Sequence, residues 1–282
     1  MNTVEIVESQ KRDWNKVAPA WEKWDSDLDQ NWSFINHLIV GYARVRPGLK
    51  VLDLGCGTGH PAFLAAAAVG RQGQVVGVDL AENMVQSANK KAKSLGFTQL
   101  AFEAGDVTHL KFETNTFDAV ISRFCFMFVP EIEKALSETL RVVKPGAFFS
   151  AAVWSAADKN PYLKLPIDVL KGFIEIQAPG PNDPSLFRFA HPGLLAGIAQ
   201  KAGFQVVDEQ EVTGEAYKSS AEQYFTSLME IAAPLQNLFA KLDPKQTEEA
   251  EAKIKQEAGS FRVNGKLALP FAVRVISCRK PA

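Results

Sequence analysis

The chain has 282 residues, with 31 Lys+Arg against 32 Asp+Glu and a formal net charge of −1. Hydrophobic residues make up 46% and charged residues 22%, which supplies a large core and excludes a disordered chain. The charge balance argues against a nucleic-acid clamp. Three widely spaced cysteines (Cys56, Cys125, Cys278), with no CxxC, argue against a disulfide scaffold and for a reduced, cytoplasmic setting.

Residues 1–46 read as helical and hold Trp14, Trp21, Trp24 and Trp32. Their opening, MNTVEIVESQKRDW, is polar, so no secretory leader is expected, and the apolar run Phe63–Val69 is too short for membrane insertion. Leu49–Leu54 reads as a strand, followed by a Gly-rich turn and an Ala-rich helix from about Pro61. Gln74–Val78 is a second strand, Glu82–Leu95 a helix, Leu100–Ala104 a third strand and Phe117–Ile121 a fourth. A helix over Glu131–Val143 and a strand over Ala147–Trp154 complete an alternation that predicts a parallel sheet covered on both faces. Beyond it come a helix around Leu163–Ile176, a loop over Ala178–Pro184, a helix over Pro192–Ala202 and a strand over Phe204–Val212. Residues 219–260 are again helical, with the charged run Gln246–Glu257 as a solvated face, and Leu269–Arg279 is a last strand. One domain over 1–282 is expected, its core at 47–154 and helical additions at 1–46, 155–190 and 219–260.

The informative segment is Val51-Leu-Asp-Leu-Gly55-Cys-Gly57-Thr-Gly59-His-Pro-Ala62. Its glycines permit positive φ and let a ligand approach the backbone, while the following helix start offers unpaired N–H groups. A dinucleotide GxGxxG would need its third glycine at position 60, which is His60, and the Gly-Lys-Ser/Thr of a phosphate loop is missing. The pattern is instead GxGxG with Asp53 two residues ahead. Asp79 closes the second strand, where a carboxylate accepts from both ribose hydroxyls and repels a 2′-phosphate. After the third strand, Gly105-Asp106-Val107 places a carboxylate for an adenine amine and an amide for a ring nitrogen. Three acids at consecutive strand ends, with no basic residue among them, suit a cationic adenosine ligand without phosphates.

With these motifs the chain resembles the class I S-adenosylmethionine-dependent methyltransferases, in the broad group that includes the ubiquinone/menaquinone-biosynthesis C-methyltransferases. The resemblance covers residues 48–154 and rests on Val51–Gly59, Val75–Asp79, Gly105–Asp106, Phe117–Ser122 and Arg141-Val-Val-Lys-Pro-Gly146. It implies a Rossmann-like, seven-stranded, mostly parallel sheet of order 3-2-1-4-5-7-6, with helices on both faces and an antiparallel last strand. Residues 204–212 and 269–279 match its final pair. It further implies that Gly55, Cys56, Gly57 and Gly59 line the methionine part of the cofactor, with Asp53 supporting the amino group. Asp79 and the adjoining Leu80 would hold the ribose, Gly105, Asp106 and Val107 the adenine, and the Ser122–Arg123 backbone would face the methionine amine. The segment Trp14–Trp21 is similar to an aromatic–Ala–aromatic lead that folds over the cofactor as a lid. The chain departs from the family at Ala147, where a second glycine is usual, and at Cys125–Phe128, where a histidine is common.

Plain packing competes with function at several positions. Trp14, Trp21 and Trp24 fall near helical spacing, so an apolar helix face stands beside the aromatic lid. Phe124, Met127 and Trp154 follow strand ends, where ligands bind in open α/β sheets, and are the candidate substrate contacts together with Trp14 and Trp21. His60 either caps its helix or serves catalysis; no other base is nameable, and His37, His109 and His191 read as core, surface or helix-start residues. Metal-ligand spacing is absent from the sequence. The expected reaction is in-line transfer of a methyl group from S-adenosylmethionine to a small apolar or aromatic acceptor, with O, N, C and S all open. A non-catalytic S-adenosylmethionine-binding protein and an NAD(P)-dependent oxidoreductase are the alternatives. Self-association is compatible with the composition and is not legible from it.

Overall fold

The computed structural model describes residues 2–180 and 183–282, so Pro181 and Asn182 of the expected 178–184 loop lie outside it. Two helices open the chain, α1 (Thr3–Lys23) and α2 (Asp25–Tyr42). A capping box starts α1: the Asn2 side chain accepts from the Glu5 N–H, and Glu5 accepts from the Asn2 N–H. The alternation follows as β1 (Lys50–Leu54), α3 (His60–Val69), β2 (Gln74–Asp79), α4 (Glu82–Ser94), β3 (Leu100–Ala104), β4 (Phe117–Arg123), α5 (Ile132–Val142) and β5 (Val143–Trp154). Next come α6 (Pro161–Leu170), α7 (Leu194–Lys201) and β6 (Gln205–Lys218). Three helices, α8 (Ala221–Ile231), α9 (Ala233–Phe239) and α10 (Pro244–Ala258), precede β7 (Arg262–Val263) and β8 (Lys266–Arg279).

The strands form one sheet in the order β3-β2-β1-β4-β5-β8-β6, with the two-residue β7 paired to β8. Neighbours among β1–β5 are parallel, and β8 runs antiparallel to both β5 and β6. This is the expected order, with β8 as the seventh strand of the family pattern and β7 as an addition to it. Chain order reverses between β1 and β4, the switch point at which open α/β sheets bind ligands. Val51, Leu52 and Leu54 are wholly buried, as a central strand covered on both faces requires.

Element ends differ from expectation where side-chain pattern carried little signal. β5 leaves α5 directly at Val143, four residues before Ala147, and α6 stops at Leu170, short of Ile176. β6 continues to Lys218 rather than Val212, in register with β8 from Gln205↔Arg279 to Lys218↔Leu267. Its extension is an edge strand with alternate residues exposed, so it lacks the apolar run of a central strand.

The two N-terminal helices are held in different ways. Leu28, Trp32, Ile35 and Ile39 form a fully buried stripe along α2, which packs on α3, β4, β5 and β8. Only Val17 and Ala18 of α1 are buried, in a small cluster with Ala81, Met84 and Ala233. Polar contacts complete its seat: Lys11 pairs with Glu82 at 2.8 Å, the Asn83 N–H donates to Asn15 at 2.8 Å, and Trp21 Nε1 donates to the Ile231 carbonyl at 3.0 Å.

Asp25, the first residue of α2, locks this layer to the sheet. Its carboxylate accepts from Lys91 at 2.7 Å and lies 2.9 Å from His60 Nε2. Burial alone would raise its pKa; the His60 ring and the Lys91 ammonium reverse that and hold it down at about 2. A depressed carboxylate stabilises the fold fully above its ordinary pKa near 3.8, and the contribution disappears as pH falls through about 2. Asp25→Asn should therefore lower the urea midpoint at neutral pH. The gap from the parent should close as pH drops from about 4 towards 2, and a gap independent of pH would refute the assignment.

Candidate functional site

A cavity opens over the C-terminal ends of β1, β2, β3 and β4. Gly55, Cys56 and Gly57 form one side, Asp79 and Leu80 the next, and Gly105, Asp106 and Val107 the third. Arg123 lines it from the end of β4, Trp14 and Trp21 close it from α1, and Phe124, Met127 and Trp154 form its apolar end. Asp53, Gly59, His60 and Ser122, singled out in the sequence, do not line it, and neither does Trp24 at the C-terminal end of α1.

The glycine turn is pinned by backbone bonds. The N–H groups of Gly55 and Cys56 both donate to the Val78 carbonyl, at 2.8 and 3.1 Å. Asp79 Oδ2 accepts from the Gly57 N–H at 2.8 Å, and its Oδ1 accepts from the Ala81 N–H at 2.9 Å. Burial raises the Asp79 pKa, and those two amides pull against the rise. Asp106 Oδ1 accepts from the Thr108 N–H and hydroxyl, both at 2.8 Å, so Asp106 caps its own turn as well as lining the cavity.

Asp53 sits behind the turn, fully buried, with no side-chain hydrogen-bond partner, and only the Ala62 backbone N–H bears on its carboxylate. Burial pushes its pKa up to about 7, with Arg123 opposing and Asp79 reinforcing the rise. Ser122 is buried and donates to the Leu54 carbonyl at 2.8 Å, joining β4 to β1 just below the turn. His60 is also buried, and its Nδ1 lies 3.4 Å from Asp29. The ring therefore belongs to the contact with α2, and the structure removes the histidine candidate from the cavity. Burial likewise pushes the Cys56 and Cys125 thiols up, so neither offers a thiolate.

Sequence reasoning missed part of the wall and one charge. Trp32 and Tyr162 line the apolar end, 5.4 Å apart, and Leu228 and Leu235 reach it from α8 and α9. Phe124 and Trp154 stack at 4.1 Å and 7°, with Phe124 held at φ 58. Beyond the three acids of β1–β3, the Arg123 side chain at the end of β4 adds a charge, its guanidinium buried beside Asp53 and donating to Asn36 at 2.8 Å. No spacing rule could show these, since each contact joins elements far apart in the chain. Among the described residues no group of three or more His, Cys, Asp or Glu could hold a metal ion.

The glycines divide by what surrounds them. A Cβ on Gly55 would lie 2.3 Å from the Cys125 Cβ, whereas one on Gly57 would meet nothing within 4 Å. Both have positive φ, which costs a side-chain residue ~1–2 kcal/mol. Gly55→Ala adds a clash and should destabilise the fold by a further ~1–3 kcal/mol beyond Gly57→Ala. Equal urea midpoints for the two variants would contradict this.

Residues 46–180 match a family model described as a methyltransferase domain. Curated demethylmenaquinone methyltransferases from Bacillus cereus (strain AH187) and Bacillus anthracis are each 44% identical over 102 residues, covering 36% of this chain and 43% of the relative. The match thus spans less than half the length of those relatives. Among solved structures, a SAM dependent methyltransferase from Aquifex aeolicus aligns with TM-score 0.50 at 25% identity, covering 63% of this chain and 83% of that one. The phosphoethanolamine N-methyltransferase 2 of Haemonchus contortus, solved with S-adenosyl-L-methionine, aligns at 0.52 and 20% identity over 88% of this chain and 53% of that one. The (4+2)-cyclase SpnF aligns at 0.57 and 21% identity, over 88% and 80%. The last two likenesses show a shared fold, and a cyclase among them illustrates that the fold does not dictate the reaction. Over residues 46–180 the chain is similar to the methyltransferase-domain family, and its sheet has the fold of the class I methyltransferases.

Proposed function

We propose that this protein is an S-adenosylmethionine-dependent methyltransferase acting on a small apolar or aromatic metabolite. The observation that carries the reading is the cavity's polarity. Acids at the ends of consecutive strands line one part of it, and stacked aromatic side chains close the other. Two features fit the cofactor: Asp53 is a buried carboxylate without a side-chain hydrogen-bond partner, and the space beside Gly57 is what a Cβ would fill. When bound, S-adenosylmethionine supplies an electrophilic methyl group on a sulfonium.

Each residue then has a definable task. An ionised carboxylate offers about four acceptor sites, so Asp79 can keep both backbone amides and still take two ribose hydroxyls. Asp106 holds Thr108 through Oδ1 and has Oδ2, 3.9 Å from His109 Nδ1, for the adenine amine, and Val107 supplies the neighbouring backbone amide. Gly55, Cys56, Gly57, Leu80 and Gly105 let the ligand approach the main chain. Asp53 acts on the amino group only by its charge, from behind the turn and outside the cavity lining, and Gly59 and Ser122 hold the turn and strand end in place.

Phe124, Met127 and Trp154, with Trp14 and Trp21 above them, orient an apolar acceptor and exclude water. Alignment of this kind is worth ~7–11 kcal/mol. No histidine lines the cavity among the described residues, and Glu131 is the lining carboxylate outside the acids assigned to the cofactor. Site of action in the cytoplasm belongs to the same reading and rests on cysteine usage; no helix among the described residues is long and apolar enough to cross a membrane.

Calorimetry with S-adenosylhomocysteine and NAD(P)H tests the cofactor, and labelled S-adenosylmethionine with fractionated apolar metabolites tests the transfer. Binding of S-adenosylhomocysteine and label in an apolar product are expected. Binding without transfer to any fraction would leave a non-catalytic binding protein, and NAD(P)H binding alone would overturn the cofactor. Asp79→Ala should weaken S-adenosylhomocysteine at least about tenfold, from the loss of charge-assisted hydrogen bonds. It should also destabilise the fold by ~1–3 kcal/mol, since the Gly57 and Ala81 amides lose their acceptor.

A further inference from the structure

We propose that the aromatic end of the cavity is a hydrogen-bond-donating site, in which Tyr162, with Trp32 and Trp154 beside it, holds an oxygen of the methyl acceptor. This rests on the transferase reading above and adds to it the residue that selects among apolar acceptors. The three side chains come from α6, α2 and the end of β5, and all three line the cavity. They are only 2%, 5% and 6% exposed. The Trp32 ring lies 5.4 Å from Tyr162 and 5.3 Å from Trp154, edge to face in both pairs. Asn160 fixes the first turn of α6 and so the direction of Tyr162. It accepts from the Ala272 N–H at 2.9 Å and donates to the Ser155 and Ala156 carbonyls at 3.1 and 2.9 Å.

Buried tyrosines and tryptophans ordinarily find partners for their polar atoms, and the neighbouring ones do. The Tyr224 hydroxyl donates to the Tyr162 carbonyl at 2.7 Å, Trp21 Nε1 to the Ile231 carbonyl at 3.0 Å, and Trp24 Nε1 to Glu230 at 2.6 Å. The Tyr162 hydroxyl and the Trp32 and Trp154 indole N–H groups have no partner among the described residues and, unlike the Asp53 oxygens, are not sealed in the core. The open space that these three residues share is the cavity. An indole N–H can only donate. Burial raises the Tyr162 pKa, and the Asp27 carboxylate, itself paired with Lys218, adds to the rise, so the phenol stays protonated and donates too. The carboxylates lining the cavity, Asp79, Asp106 and Glu131, stand on other elements. Donors set in an apolar wall favour an acceptor that carries a carbonyl or other accepting oxygen over a hydrocarbon or an ammonium.

Three naphthalenes of similar shape read this preference by calorimetry, with and without saturating S-adenosylhomocysteine. 2-Acetylnaphthalene carries a carbonyl, 2-isopropenylnaphthalene is its hydrocarbon isostere, and 2-(aminomethyl)naphthalene carries an ammonium. The parent protein should bind the ketone about three- to tenfold more tightly than the hydrocarbon, the range for one neutral hydrogen bond. Tyr162→Phe should abolish that ratio while leaving hydrocarbon affinity and the urea midpoint unchanged, because the hydroxyl serves no protein group. A lowered midpoint would reveal a structural hydroxyl and overturn the proposal, as would a ketone preference that survives the substitution. Preference of the parent protein for the hydrocarbon or the ammonium would overturn it too, as would binding of none of the three. Failure to bind S-adenosylhomocysteine would instead sink the transferase reading, and the comparison made without it would still test the aromatic end.

Discussion

The Asp79 carboxylate is the point on which the cavity's geometry depends. It closes β2, accepts from the Gly57 N–H on one side and the Ala81 N–H on the other, and so ties the turn after β1 to the start of α4. The Val78 carbonyl, one residue earlier, takes the N–H groups of Gly55 and Cys56. Four backbone donors, otherwise orphaned at a strand-to-helix junction, are satisfied by two consecutive residues. The turn can then hold left-handed conformations at Gly55, Gly57 and Gly59 without losing hydrogen bonds. Every cavity-lining group on β1 and β2 inherits its position from this junction.

Close packing beneath the turn gives its glycines separate reasons to be there. Gly55 makes room for Cys125 and Gly59 for Phe102 and Phe63, whereas Gly57 leaves open space. A motif read as one ligand-binding unit is thus a composite, with two positions serving the interior and one facing the ligand side. The same composite character recurs in Asp106, which caps a turn with one oxygen and lines the cavity. Economy of this sort follows from the scarcity of side chains at strand ends, where each residue borders both the core and the crevice.

The two N-terminal helices show how a roof and a wall can be built on different physics. α2 buries an aliphatic and aromatic stripe against the sheet and brings Trp32 into contact with Phe124, Trp154, Tyr162 and Phe271. α1 lies across the opening on few apolar contacts and many polar ones. Exposed ion pairs contribute little each, so what seats α1 is chiefly Val17, Ala18 and its tryptophans, with Trp14 against Phe128 and Trp21 against the core.

Alternating strands and helices by themselves determined a parallel sheet covered on both faces, and the strand order came with the family resemblance of residues 48–154. The sequence by itself also determined which strand ends carry acids, since Asp53, Asp79 and Asp106 sit at fixed offsets from glycines and strands. Local spacing carries such information because neighbours in the chain remain neighbours in the fold. Tertiary structure alone decided the rest. His60 follows the motif directly, yet α2 captures it through Asp25 and Asp29. Arg123, Asn36 and Asp53 are far apart in sequence and meet only when α2 is laid on the β1–β4 junction. Likewise the apolar end of the cavity draws Trp32, Tyr162, Leu228 and Leu235 from four separate helices. Such convergence depends on which faces pack together, and no local pattern of residues encodes the direction from which a distant helix will arrive.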